Sequence, residues 1–205
     1  MAQTENETPR FQQLALEELN PQQKALALEI LKVSAAGLGG PYNPLLRSPE
    51  MGHRVFNLMD YLRFKTSVPQ PLNEFAILIQ ARLATAQLEW WAHYPIALKA
   101  GLPAAVADEL KEGRRPAKMT GSEEAVYQFC VELSLNHAVS DVAFERVRSL
   151  LGEQQTVDLI VVSGTYVMVS MILNGAEVEI PNHGAPPLRP ITDTELRAGL
   201  LPAKG

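Results

Sequence analysis

A single cysteine, Cys130, occurs in 205 residues. It has no partner for an internal disulfide, and the absence of a CxxC pair or Cys/His cluster leaves no pattern for zinc. Positive charge is not in excess either. The 18 basic and 23 acidic side chains give a formal net charge of −5, the wrong balance for a surface that neutralises phosphates, so no nucleic-acid partner is expected. The longest apolar run, Leu159 to Leu173, is interrupted by Ser163, Gly164, Thr165 and Ser170. It falls short of the roughly 20 residues that cross a bilayer. Met1 to Asn20 is polar with four glutamates and lacks the basic and apolar regions of a leader peptide. A cytoplasmic protein away from membranes is expected. Gly37 to Gly40 lacks the lysine and spacing of a phosphate loop and reads as a turn. The chain contains neither an internal repeat nor a low-complexity tract.

What is present suffices for a core. The chain is 46% hydrophobic and 20% charged, and a chain of this size buries roughly 70% of its unfolded surface. One domain over 1–205 is expected, with an N-terminal arm over 1–19 and an extended, proline-rich tail over 181–205. Proline and glycine divide the remainder into helix-sized pieces. Asn20-Pro21 is a cap followed by a proline suited to the first helical position, opening a helix to about Ala36. Ser48-Pro49 repeats the signal for a helix to about Lys65. Further starts follow Pro69 and Pro71, and Pro103. Thr120 with Glu123 has capping-box spacing for a helix from Gly121 to Asn136, and Ser140 or Asp141 opens another that ends at Gly152. Glu153 to Asn174 is rich in β-branched residues, which favours strand. Its unbroken length and the lack of any second strand-like segment to pair with it favour a buried helix. The expectation is an all-α fold of seven or eight helices, with a short helix near Thr194.

The segment that carries chemistry is Glu74 to Gly101, EFAILIQARLATAQLEWWAHYPIALKAG. Glu89 and His93 stand four apart, neighbours on one helical face, and a continuous helix would add Arg82 and Ala86 to the same stripe. A carboxylate beside an imidazole orients the ring, and the imidazole passes protons near neutral pH. A guanidinium there would hold a carboxylate substrate by paired hydrogen bonds. The competing reading is a solvated polar face, opposed by the apolar neighbours Phe75, Ile77, Leu78, Ile79, Leu83, Leu88, Trp90 and Trp91. Pro95, two residues after His93, removes a backbone bond and makes a kink there a plausible pocket wall.

Glu74, Ala86, Glu89, His93, Ala97 and Gly101 together resemble the carboxymuconolactone decarboxylase family, which also includes the alkyl hydroperoxidase D proteins. The likeness extends upstream to Gly40-Pro41, Asn43-Pro44-Leu45-Leu46 and Tyr61-Leu62-Arg63-Phe64, and downstream to Gly164, Tyr166 and the Leu173-Asn174 to Pro181 stretch. The peroxidase branch has a glutamate and a histidine where Glu74 and His93 stand, and redox cysteines where Ala86 and Glu89 stand. With both cysteines missing, a thiol peroxidase is not expected, since that chemistry needs a thiolate and a resolving thiol. The resemblance implies an alkyl hydroperoxidase D-like helical domain, a homo-oligomer (a trimer or a hexamer built as a dimer of trimers), and decarboxylase-type proton transfer on a small carboxylated or lactone substrate without metal or organic cofactor. In that scheme His93 moves the proton, Glu89 orients it, Glu74 is a second acid/base and Arg82 anchors a carboxylate.

Each assignment has a structural rival. Glu74 could serve the helix dipole in a first turn. Arg82 could pair with Glu89. Tyr166, whose hydroxyl needs a partner in an apolar segment, could be core or pocket wall, and Tyr61 and Arg63 could reach the same cleft. Cys130 reads as core, and His53, His137 and His183 as surface residues. Two further functional readings stay open: a degenerate redox protein of the peroxidase branch, and a non-catalytic helical oligomer that binds a ligand.

Overall fold

A computed structural model describes residues 9–34 and 37–201. Among these residues there is no strand, and nine α-helices follow one another: α1 (Pro21–Val33), α2 (Tyr42–Leu45), α3 (Pro49–Phe64), α4 (Gln70–Leu83), α5 (Gln87–Ala100), α6 (Ala104–Lys111), α7 (Gly121–Asn136), α8 (Asp141–Gly175) and α9 (Asp193–Leu200). The expected all-α class is present. The end expected for the first helix, at Ala36, and the outermost residues of the expected arm and tail lie outside the described residues.

Local sequence explains the starts. Asn20 Oδ1 accepts from the N–H groups of Gln22 and Gln23, both at 3.0 Å, and the Gln23 side chain accepts from Asn20 N–H. Thr120 and Glu123 form the reciprocal box at the head of α7, and Ser140 caps α8. These contacts satisfy backbone donors that the first helical turn leaves unpaired.

The helix α4 is the axis of the molecule. Every residue from Leu72 to Arg82 is buried, because α5, α6, α7 and α8 pack around it. A helix apolar on all sides requires such enclosure. The smaller group α1, α2 and α3 packs together, with α3 touching α8. The β-branched segment is helical, as its length implied. It forms the second part of α8, set off from the first by a non-helical Gly152 at φ +83°. Leu159, Val162, Tyr166, Val169 and Leu173 face the core. By length and composition α8 could cross a membrane, yet half of its apolar window is buried inside the protein, as befits a core helix.

The continuous helix that would place Arg82 and Ala86 on one stripe with Glu89 and His93 does not form. The chain breaks between Leu83 and Gln87, where Ala86 N–H bonds Ala81 O at 2.8 Å and Thr85 N–H bonds Arg82 O at 3.1 Å. This is the Schellman pattern, with Thr85 in the left-handed position at φ +49°. Glycine usually occupies that position, so the sequence gives no stop signal. A β-branched residue there is strained, and the strain is offset where Thr85 Oγ1 accepts a 2.8 Å bond from Arg82 Nη2. Thr85→Val keeps the strain and orphans a buried guanidinium N–H. We expect it to cost about 1–3 kcal/mol in urea unfolding, and Thr85→Gly to cost less. Equal stability of the valine variant and wild type would refute this account of the junction.

The tail is more ordered than an extended segment. Leu188, Leu196 and Leu200 are buried, and α9 begins with a Thr192–Glu195 capping box. The Gln87 side-chain amide pairs with both backbone groups of Leu188, each at 2.9 Å.

Candidate active site

Three helices bring four side chains together. Glu74 from α4, Glu89 and His93 from α5 and Tyr166 from α8 are 2%, 2%, 7% and 1% exposed respectively. The rival reading of a solvated face is therefore excluded. His93 Nδ1 lies 2.7 Å from Glu74 Oε2. The Tyr166 ring meets the imidazole edge-on, with centroids 5.2 Å apart and planes at 87°. One turn along α8 from Tyr166, Ser170 Oγ donates to Glu89 Oε1 at 3.1 Å. One turn separates Glu89 from His93, and one turn separates Ser170 from Tyr166. The pairings Glu89–Ser170 and His93–Tyr166 therefore show α5 and α8 running antiparallel here.

The geometry changes two expected partnerships. The carboxylate that orients His93 is Glu74, nineteen residues away, and not Glu89 at i−4. Glu74 lies beyond the first turn of α4, so the helix dipole does not account for it. Arg82 is not in the cluster at all. With the helix broken at Thr85, its guanidinium donates to Lys111 O at 3.1 Å, to Arg189 O at 3.2 Å and to Thr85 Oγ1. It ties the tail and α6 to the α4–α5 junction instead of pairing with Glu89 or facing a substrate. Burial, with Arg189 nearby, lowers its pKa to about 10, which still leaves it cationic at neutral pH.

The cluster contains unspent polarity. Glu89 Oε2 and the Tyr166 hydroxyl are buried without a hydrogen-bond partner, which is costly unless something else satisfies them. Burial pushes the Glu89 carboxyl well above the usual carboxylate range, against a smaller opposing effect of the Ser170 hydroxyl. Burial thus favours the protonated, neutral form of Glu89. Burial also raises the Tyr166 phenol well above its ordinary value. Arg63 opposes that shift, while Glu74, Glu89 and Tyr42 add to it. Ser170 and Tyr42 were not among the residues singled out by sequence. The signal for Ser170 was its place four after Tyr166 in an otherwise apolar helix.

An open groove of about 520 Å³ lies nearby, lined by Gln87, Leu88, Leu173, Asn174, Val178 and Ile180 among others. It includes none of the four clustered side chains, although Leu88 is adjacent to Glu89 and Leu173 is one turn from Ser170. The groove is also lined by Glu177, Glu179 and His183, with His183 Nδ1 3.2 Å from Glu179 Oε2; that pair is exposed to solvent, whereas the Glu74–His93 pair is buried. Cys130 is fully buried, accepts from Ser163 Oγ at 3.4 Å, and burial pushes its thiol up to about 12. It forms part of the core, as expected.

No protein-family model matches the sequence, and no curated protein matches it. By structure the chain is similar to an uncharacterized peroxidase-related protein from Ralstonia eutropha JMP134, described as an alkylhydroperoxidase AhpD core. That similarity has a TM-score of 0.67 at 18% sequence identity and covers 95% of this chain and 97% of the other. The fold is alkylhydroperoxidase D-like. At that identity the likeness speaks to architecture alone.

Proposed function

We propose that this protein is a cofactor-independent lyase of the carboxymuconolactone decarboxylase type, which moves a proton onto carbon in a small carboxylated or lactone substrate. The observation that supports the reading is the buried Glu74–His93 pair, flanked by Glu89 Oε2 and the Tyr166 hydroxyl, both buried without a hydrogen-bond partner. In such a reaction the C–CO₂⁻ bond breaks and carbon dioxide leaves. The bonding electron pair passes into a conjugated carbonyl, and a proton then adds to carbon, so one proton is consumed per turnover. His93 delivers that proton from Nε2. Glu74 fixes Nδ1 as the other protonated nitrogen and balances the ring's positive charge. Glu89, holding its proton, donates toward the oxygen on which enolate charge develops, as a neutral buried acid can. Tyr166 contacts the substrate beside it.

The test is a panel of small lactone acids and β-keto acids incubated in D₂O. Carbon dioxide release with one deuterium at the former carboxyl carbon supports the proposal. No turnover of any member, or turnover without carbon-bound deuterium, refutes it. A redox reading is favoured only by the name of the structural neighbour, and the single buried thiol speaks against it. Thiol-dependent reduction of a hydroperoxide that Cys130→Ser abolishes would establish the redox reading instead.

We place the protein in the cytoplasm as a homo-oligomer, a trimer or hexamer, with no nucleic-acid or membrane partner. Support for self-association comes from Val157, Ile160 and Met171, which form an exposed apolar stripe along α8, a surface of the kind that interfaces cover. Sedimentation velocity should show a species larger than the 22.5 kDa chain, and Met171→Glu should reduce it. A monomer at all concentrations refutes the assembly.

A further inference from the structure

We infer that the groove between the start of α5 and the end of α8 is the entrance by which a small substrate, apolar at its trailing end, reaches the buried cluster, and that Gln87 latches the strap of chain that walls it. The role of the cluster is taken from the proposed function, while the geometry of the entrance and its test need no turnover. The seam between the two antiparallel helices sets the order of parts. Leu88 and Leu173 line the groove and are only 7% and 4% exposed, so they form its floor. Glu89 follows Leu88 in sequence. Ser170, which donates to Glu89 at 3.1 Å, precedes Leu173 by three residues, a rise of about 4.5 Å along α8. His93 and Tyr166, in edge-on contact, lie one turn further along. The groove thus ends where the cluster begins, at the carboxyl whose Oε2 is buried and unpartnered. Its volume of about 520 Å³ suits a small molecule. Val178 and Ile180 continue the apolar lining, and the rim carboxylates are already engaged, Glu177 by Arg10 and Glu179 by His183.

The outer wall of the groove is the strap from Ile180 to Leu188, which contributes Ile180, His183, Gly184 and Pro186 to the lining. Among the described residues no backbone–backbone hydrogen bond involves 185–191. Side chains hold the strap instead. Gln87 Nε2 donates to Leu188 O and Gln87 Oε1 accepts from Leu188 N–H, both at 2.9 Å, and Arg82 donates to Arg189 O. At the other end the chain leaves α8 through Glu177, Asn182 and His183, three non-glycine residues with φ from +50° to +59°, a conformation that side chains adopt under constraint. A segment without backbone bonds of its own opens at lower cost than the helices behind it. Gln87 stands on the helix that carries Glu89, two residues before it, so releasing its amide frees the wall beside that carboxyl.

Glu89→Cys puts a thiol at the end of this route, and native Cys130, fully buried in the core, reports any general loosening of the same molecule. The probes are iodoacetamide and the bulkier N-phenylmaleimide, with alkylation at each position followed by peptide mass spectrometry at fixed pH. Gln87→Ala, which removes both bonds to Leu188, should speed alkylation of the introduced thiol about 5- to 100-fold, the range for two ordinary hydrogen bonds, and leave the rate at Cys130 unchanged. Val178→Trp, which fills the groove from its apolar side, should slow alkylation, and more so for the maleimide. In the chain that keeps Glu89, Gln87→Ala should speed amide exchange at Leu188 by a similar factor. Equal alkylation rates with and without Gln87→Ala, no slowing by Val178→Trp, or acceleration of Cys130 in step with the introduced thiol would each overturn the inference. Should Glu89→Cys fail to fold, Leu188 exchange decides, and an unchanged rate overturns it. The expected rates in a protein that turns over no substrate would sink the catalytic reading and leave the entrance standing. Turnover by wild type, beside an introduced thiol indifferent to both substitutions, would do the reverse.

Discussion

Replacing His93 with glutamine should lower kcat on a turned-over substrate by about 10²- to 10⁴-fold, the usual loss when a positioned proton-transfer group is removed. Glutamine is preferred to alanine for a structural reason. His93 provides the hydrogen-bond partner of Glu74 Oε2 at 2.7 Å, so alanine would leave a buried carboxylate unsatisfied and destabilise the fold by about 1–3 kcal/mol. A glutamine amide can still donate to Glu74. Its thermal midpoint should stay close to wild type while turnover collapses, which separates chemistry from folding. Glu74→Gln should also lose rate, through a different route. The imidazole remains, but the partner amide can accept from or donate to Nδ1, so a protonated Nδ1 and proton transfer through Nε2 are no longer enforced. The expected signature is a fall in kcat with little change in KM, since Glu74 acts through the ring and not on the substrate. Unchanged kcat in His93→Gln would end the assignment.

The parts of this site differ in how legible they were. Helix starts could be read because caps act within three residues: Asn20, Thr120 and Ser140 each bond the backbone donors expected of them. The burial of Glu89 and His93 could be inferred from their apolar neighbours. The pairing of His93 with Glu74 could not, because it depends on how α4 folds back on α5. That fold depends on Thr85 adopting a conformation for which a β-branched residue gives no warning. The same break removed Arg82 from the stripe that periodicity had assigned it. Periodicity holds only while the helix is continuous, and the stop here is made by tertiary contacts of Arg82 itself with Thr85 and the tail.

Glu89 should leave a mark on stability that is independent of any substrate. Its carboxyl is 2% exposed, and burial raises its folded pKa well above the ordinary 4.5. Between those two values the folded state holds a proton that the unfolded state has released. Stability therefore falls as pH rises through that window, by up to about 1.4 kcal/mol per pH unit while the full proton difference persists. For a chain of this length that is about 3–5 °C in thermal midpoint per unit. Below the unfolded value both states are protonated and the dependence vanishes. Glu89→Gln keeps an acceptor for Ser170 and a donor in place of the retained proton, but it cannot ionise. Its thermal midpoint should exceed wild type by a margin that widens from about pH 5 upward, as differential scanning calorimetry at matched ionic strength would show. Parallel curves for the two proteins would mean that Glu89 titrates normally. In that case it could not serve as a neutral donor to an enolate oxygen, a role whose loss in Glu89→Leu should cost about 10²- to 10³-fold in kcat.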